Sequence, residues 1–173
     1  MKLSELVATA VTILEPNLAR GVIHGDIHGR NILLLDRIPA FIDFALSGPG
    51  HPLEDLVRLD SVVRSAAMRM LVDERTMREI IQAIYIDGTT AEAVLEAHSI
   101  LAASPLAGLA VRTAVKVREA ALKVAEAHSL GLPDLMAMIC VVAGHVLVAH
   151  NPCSGVERVL VSVTGSRLLA DQP

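Results

Sequence analysis

The chain has 173 residues, 53% of them hydrophobic, and a formal net charge of −4. That length suits one domain able to bury about 70% of its unfolded surface, and the charge gives no electrostatic reason to expect nucleic acid or an anionic membrane as a partner. With no Trp, one Tyr and two Phe, the apolar residues are aliphatic and Ala-rich, which points to closely packed helices rather than a β-sandwich.

Leu3, Leu6, Val7, Ala10, Val11 and Leu14 recur at helical spacing, and Pro16 ends that first helix. Val22-Ile23, Ile32 to Leu35 and Ala40 to Ile42 are short apolar runs, the last reached through a turn at Asp36-Arg37-Ile38-Pro39. A small strand pair with loops at its ends therefore fits residues 21–44. From Pro52 onward the pattern is helical. Leu53, Leu56, Val57, Val63, Ala67 and Met70 suit one helix, and Glu74 to Ile86 another, closed by Asp87-Gly88. Thr89 with Glu92 reads as a capping box. Ser104-Pro105 reads as the start of a helix running to about Ser129, with Arg112, Lys116, Glu119 and Lys123 on its exposed face.

Gly131 and Pro133 precede an apolar helix, and Ser154 with Glu157 opens the last one. The stretch Leu135 to Ala149 falls short of the roughly 20 residues of a membrane span and contains His145, so it reads as a core helix. Met1 to Glu5 lacks a basic region followed by an apolar core, so no secretory signal is expected. Cys140 and Cys153 lack ligand spacing and read as free thiols, in keeping with a cytoplasmic location. His145 and His150 read as helix-end or packing residues, and Met68, Met70, Met136 and Met138 as core fillers. The expected fold class is mostly α with a small β-hairpin (α+β). A single domain over 1–173 is expected, with residues 61–173 as a helical subdomain.

The chemistry concentrates in His24-Gly25-Asp26-Ile27-His28-Gly29-Arg30-Asn31, followed by Ile42-Asp43-Phe44. Phosphoryl transfer requires a metal to bridge phosphate oxygens and a carboxylate to orient the acceptor and take its proton. Asp26 lies in a loop between two apolar runs, and Asn31 stands where the chain re-enters a strand. Asp43 ends the hairpin's second strand. Oxygen ligands of this kind suit Mg²⁺, which keeps several waters and takes one or two protein groups. Singly, Asp and Asn beside strands are commonly turn residues; the spaced set of three favours a site. His28 reads as a phosphate or substrate contact or as a loop histidine bonded to backbone. Arg30 reads as a possible phosphate contact or a solvated side chain. For His51, lining the cleft and pinning the loop stand as equal readings.

This string, with Asp55 opening the following helix, resembles the catalytic and metal-binding loops of the aminoglycoside phosphotransferase and choline kinase-like family, relatives of the protein kinases. The resemblance covers roughly residues 20–60. It implies that Asp26 is the catalytic base, that Asn31 and Asp43 hold Mg²⁺, and that His24 and Asp55 brace the loop. It further implies a nucleotide, ATP, and a small-molecule hydroxyl as substrates. The fold it implies is the helical C-terminal lobe of a kinase-like protein.

Ala45 follows Phe44 where protein kinases have Gly. The phosphate-covering loop and strand-borne Lys of the family's N-terminal lobe are absent, since the only lysines are Lys2, Lys116 and Lys123. Two sources for that lobe stand open: a separate chain, or coding sequence truncated upstream of Met1. The alternative function is a catalytically inactive kinase-like binding or regulatory module. Gly25-Asp26-Ile27-His28-Gly29 also matches the opening string of calcineurin-like phosphoesterases, but the further ligands of a two-metal centre are missing.

Overall fold

The computed structural model describes residues 2–18, 20–68, 73–149 and 155–170. Helix α1 (Leu3–Leu14) opens the chain and passes through a single 3₁₀ turn, Glu15–Asn17, where Pro16 prevents the α-helix from continuing. Four short strands follow: β1 (Gly21–Ile23), β2 (Ile32–Leu35), β3 (Ile38–Phe41) and β4 (Gly48–Gly50). Among the described residues seven α-helices follow: α2 (Glu54–Met68), α3 (Glu74–Ile81), α4 (Ala91–Ala97), α5 (Ser99–Ala102), α6 (Pro105–Ala127), α7 (Leu132–Ala149) and α8 (Gly155–Ala170). The protein is thus mostly α with a small β-hairpin, as the composition implies. Among the described residues no helix is long and apolar enough to cross a membrane.

The strands form two separate antiparallel pairs rather than one. The β2–β3 hairpin turns on Asp36 and Arg37 alone, both with positive φ (49° and 68°), and Leu35 faces Ile38 across it. This two-residue geometry matches the right-handed twist of the flanking strands. Ile38 and Pro39 accordingly belong to β3 and not to the turn. The Val22-Ile23 run pairs elsewhere, with Pro49 and Gly48 of β4, which clamps the loop between residues 24 and 47 at its base.

Helices α1, α7 and α8 pack together, α2 lies against α6 and α7, and α3 lies on α8. Leu6 and Ala10 of α1 are buried, and Gly144 of α7 and Gly165 of α8 allow the approach. A Cβ at either glycine would stand 2.7 or 2.8 Å from Val7 or Leu6 side-chain atoms. Met136 and Met138 fill the core as expected, with Leu53, Ile80, Ile84, Ile139 and Leu160. Buried Tyr85 donates its hydroxyl to Asp60 at 2.5 Å, tying the end of α3 to α2.

Several boundaries differ from the sequence reading for local reasons. The helix expected over Glu74 to Ile86 keeps those bounds, but its last turn, Gln82–Ile86, is a π turn. The cap of α4 is Thr90, whose hydroxyl accepts the Ala93 N–H at 3.3 Å, while the Thr89 N–H closes the preceding turn on Ala83. Ser104 caps α6 as expected, and Lys116 pairs with Glu119 on its exposed face at 2.8 Å. The α7 helix begins at Leu132, so Pro133 lies in its first turn, where no N–H is needed. Glu157 stands in the first turn of α8, as expected, and is fully buried there. Cys140 is a free, buried thiol. The expectations for Met70, His150, Cys153 and Ser154 lie outside the described residues, as do the side chains of Val63, Ala67 and Met68.

Candidate active site

The loop from His24 to Asn31 is built around one histidine and one distant carboxylate. His24 is buried, and its Nε2 lies 2.9 Å from the Ile42 carbonyl, so this nitrogen carries the proton and donates. Its Nδ1 is thereby the acceptor for the Asp26 N–H at 3.4 Å. The Phe44 ring packs on the imidazole with centroids 4.6 Å apart, and Phe41 meets it edge-on at 6.3 Å. Asp55, in the first turn of α2, accepts the His24 N–H at 2.6 Å and the Gly25 N–H at 3.1 Å. Charge-assisted bonds of this kind are stronger than neutral ones.

Gly25 is required twice over. Its φ of 83° lies in the left-handed region, and a Cβ there would stand 2.5 Å from the Leu46 carbonyl oxygen. Ser47 closes the same contact by donating its hydroxyl to the His24 carbonyl at 3.2 Å. The chain is therefore forced to present Asp26 at the turn's tip, half-buried, with its carboxylate partly open to solvent.

Asn31 is buried at the end of a 3₁₀ turn, Gly29–Asn31. Its Nδ2 donates to the Asp26 carbonyl at 2.9 Å and to Asp26 Oδ2 at 3.1 Å. With the amide nitrogen so committed, Oδ1 is the atom left to face a cation. The Ile42 N–H donates to the Asn31 carbonyl at 3.0 Å. That bond seats residue 43 beside residue 31, two positions beyond the end of β3. Asp43 is exposed and holds a left-handed conformation, φ 62° and ψ 67°, a strained state for a residue other than glycine.

His28 makes contacts on both sides. Its Nδ1 accepts the Arg30 N–H at 3.2 Å, which leaves Nε2 protonated and 3.4 Å from Asp26 Oδ2. Arg30 is exposed, and with His28 and Gly29 it lines an open depression of about 370 Å³. Asp26, Asn31 and His28 are thus joined by direct side-chain contacts. Asp43 is brought next to them through the backbone.

Among the described residues there is no cluster of three or more His, Cys, Asp or Glu that could hold a metal ion. An amide and one carboxylate still fit Mg²⁺, which takes few protein ligands and completes its shell with water and phosphate oxygens. They do not fit a structural zinc or a two-metal centre. None of the three lysines lies on a strand: Lys2 precedes α1, and Lys116 and Lys123 are on α6.

Three contributors escaped the sequence reading. Phe44 stands inside the motif, but its packing on His24 needs the hairpin to fold back. Ser47 and Gly25 act through contacts between residues more than twenty positions apart. The undecided role of His51 resolves as a turn-pinning one, for its Nδ1 accepts the Leu53 N–H at 3.2 Å. His145 is exposed on α7 and borders a small apolar cleft of about 160 Å³ with Val11, Leu14 and Met138.

Neither the comparison with curated proteins nor that with solved structures returns a match. The phosphotransferase enzyme family (APH) matches residues 2–95, more than half of the chain and a span that holds α1, both strand pairs, the histidine loop and Asp55. On that match, in agreement with the loop geometry, the chain belongs to the phosphotransferase enzyme family.

Proposed function

We propose that this protein transfers a phosphoryl group from ATP to a hydroxyl of a small molecule, with Mg²⁺ held by Asn31 and Asp43. The observation that carries the reading is the double donation from Asn31 Nδ2 to Asp26, which commits the amide nitrogen and leaves the amide oxygen as the atom available to a cation. Asp26 orients the acceptor hydroxyl and takes its proton as the acceptor oxygen bonds to the γ-phosphorus. The bond from that phosphorus to the bridging oxygen breaks, and ADP leaves. Magnesium, when bound, neutralises charge on the phosphate oxygens. His24 and Asp55 support the loop, and His28 and Arg30 border the depression where phosphate or substrate rests.

The hairpin supports a second part of the proposal, that a nucleotide-gripping lobe on a separate chain seats over it. Leu34 is 73% exposed, Ile38 68% and Phe44 59%, and Leu35 and Leu46 are also exposed. Leu35 and Ile38 oppose one another on one face of the hairpin and Leu34 lies on the other, and large apolar side chains left open on a short hairpin mark an interaction site. Such a lobe would also bring an ammonium group to the nucleotide phosphates.

Calorimetric titration of the chain together with that partner, using Mg-ATP, tests the reading. Asp43→Asn keeps a side chain that tolerates left-handed backbone and removes the charge, so affinity should fall about tenfold or more. Equal affinity in both proteins, or no binding to either, overturns the proposal. A non-catalytic module would bind Mg-ATP in the same titration without consuming it.

A further inference from the structure

His51 lies between β4 and α2 and is completely buried. Its Nδ1 accepts the Leu53 N–H at 3.2 Å, and its carbonyl accepts the Glu54 N–H at 3.0 Å. These two bonds close the turn of residues 51–54 and set the direction in which α2 departs. Asp55 follows one residue later and holds the backbone N–H groups of His24 and Gly25. A continuous line of short contacts thus runs from the His51 ring to the loop that presents Asp26.

The ring can play this part in one protonation state only. Because Nδ1 accepts, the single proton of the neutral ring sits on Nε2, which is buried without a hydrogen-bond partner among the described residues. A second proton would have to enter at Nδ1, where it would oppose the Leu53 N–H and cancel that bond. Three charged or titratable groups act on the ring: Asp134 from α7, Glu54 from α2 and His128 at the end of α6. Asp134 is already engaged, accepting the Gly131 N–H at 2.9 Å and the Asn17 side-chain amide at 3.3 Å.

We propose that His51 is a positioning residue for the catalytic loop, and that protonation of its ring releases α2's first turn, Asp55 and the loop together. Burial disfavours the charged ring and outweighs Asp134 and Glu54, which favour it, while His128 disfavours it further. The neutral, latched form is therefore the resting one at neutral pH. The inference rests on the reading of the 24–31 loop as catalytic, but its test does not require turnover.

The test is amide hydrogen exchange at His24 and Gly25, followed by NMR in the intact chain between about pH 7.5 and about pH 5. Wild type, His51→Asn and His51→Ala are compared, with the Ile80 amide as internal reference. An asparagine at this position can accept the N–H two residues on, as in an Asx turn, and has no proton to gain. In wild type, protection of the two amides should fall about tenfold relative to the reference as the pH drops. In His51→Asn it should hold across the range, and in His51→Ala it should be low throughout. The same pH course in wild type and His51→Asn, or no protection in His51→Asn at neutral pH, overturns the proposal. Should His51→Ala not fold, wild type against His51→Asn decides alone. Failure of every form to bind Mg-ATP would remove the phosphotransferase reading and leave the exchange result standing.

Discussion

Asp55 and His24 are separated by 31 positions, yet the Asp55 carboxylate accepts the His24 N–H at 2.6 Å and the neighbouring Gly25 N–H at 3.1 Å. One carboxylate on a helix thereby fixes two consecutive amides of the loop that carries Asp26. Asp55→Ala leaves both amides without an acceptor and should cost about 2 kcal/mol in urea unfolding, with loss of phosphotransfer. Asp55→Asn retains one acceptor oxygen and should cost about half as much. Equal stability of Asp55→Ala and wild type would show that the two bonds contribute nothing net.

Gly25 and Gly29 stand four residues apart and should respond in opposite ways to the same change. Gly25→Ala faces a positive φ and the Leu46 carbonyl at 2.5 Å, and should lose about 1–3 kcal/mol. Gly29→Ala meets open space and should stay within about 0.5 kcal/mol of wild type. Calorimetric melting of the two variants side by side checks the contrast.

Asp43 separates folding from function. Its side chain makes no capping bond and is exposed, so Asp43→Asn should unfold within about 0.5 kcal/mol of wild type. Any loss of nucleotide affinity in that variant then belongs to the proposed metal site and not to a damaged fold. A large drop in its urea midpoint would instead assign the carboxylate a structural role.

Burial places the His51 pKa below its ordinary value of 6.5 in the folded chain, and the sign of the consequence follows from linkage. As pH falls below about 6.5, the unfolded chain takes up the proton first, so the stability associated with the neutral ring is present above that pH. It is lost as pH falls through the folded value and levels off below it. Urea midpoints at about pH 7.5 and about pH 5.5 should therefore fall further in wild type than in His51→Asn, since all other titrating groups are shared. Parallel midpoints in the two proteins would place the acid sensitivity elsewhere.

Cys140 is buried against Thr164, and burial, only partly offset by that contact, raises its pKa to about 11. The thiol form persists at neutral and mildly alkaline pH, and only the thiolate is nucleophilic. In a Cys153→Ser background, an aromatic disulfide reagent should leave the folded protein unmodified and react once denaturant unfolds it. Reaction within seconds in the absence of denaturant would contradict the buried placement.

Much of the site was legible because its parts are local in sequence. Asp26 and Asn31 share one turn, and Asp43 follows one hairpin, so spacing alone brings their backbones into one region. The β1–β4 pair was not legible: Gly48-Pro49-Gly50 has neither alternation nor β-branched residues, and it pairs only because the chain must return to the start of α2. The α4 cap slipped by one residue, from Thr89 to Thr90, because two adjacent threonines offer the same hydroxyl. Glu157 reads from sequence only as a residue of the last helix's first turn, and packing of α8 buries it.

The amino-acid sequence determined which chemical groups the loop carries and that aliphatic helices surround it, since side-chain type and periodicity are fixed residue by residue. The tertiary structure alone decided that the Asn31 amide nitrogen is taken up by Asp26, that the His51 ring turns inward to hold α2, and that the hairpin's Leu34 and Ile38 remain exposed. Those outcomes depend on direction, and a hydrogen bond or an apolar contact acquires direction only when elements distant in the chain are brought together.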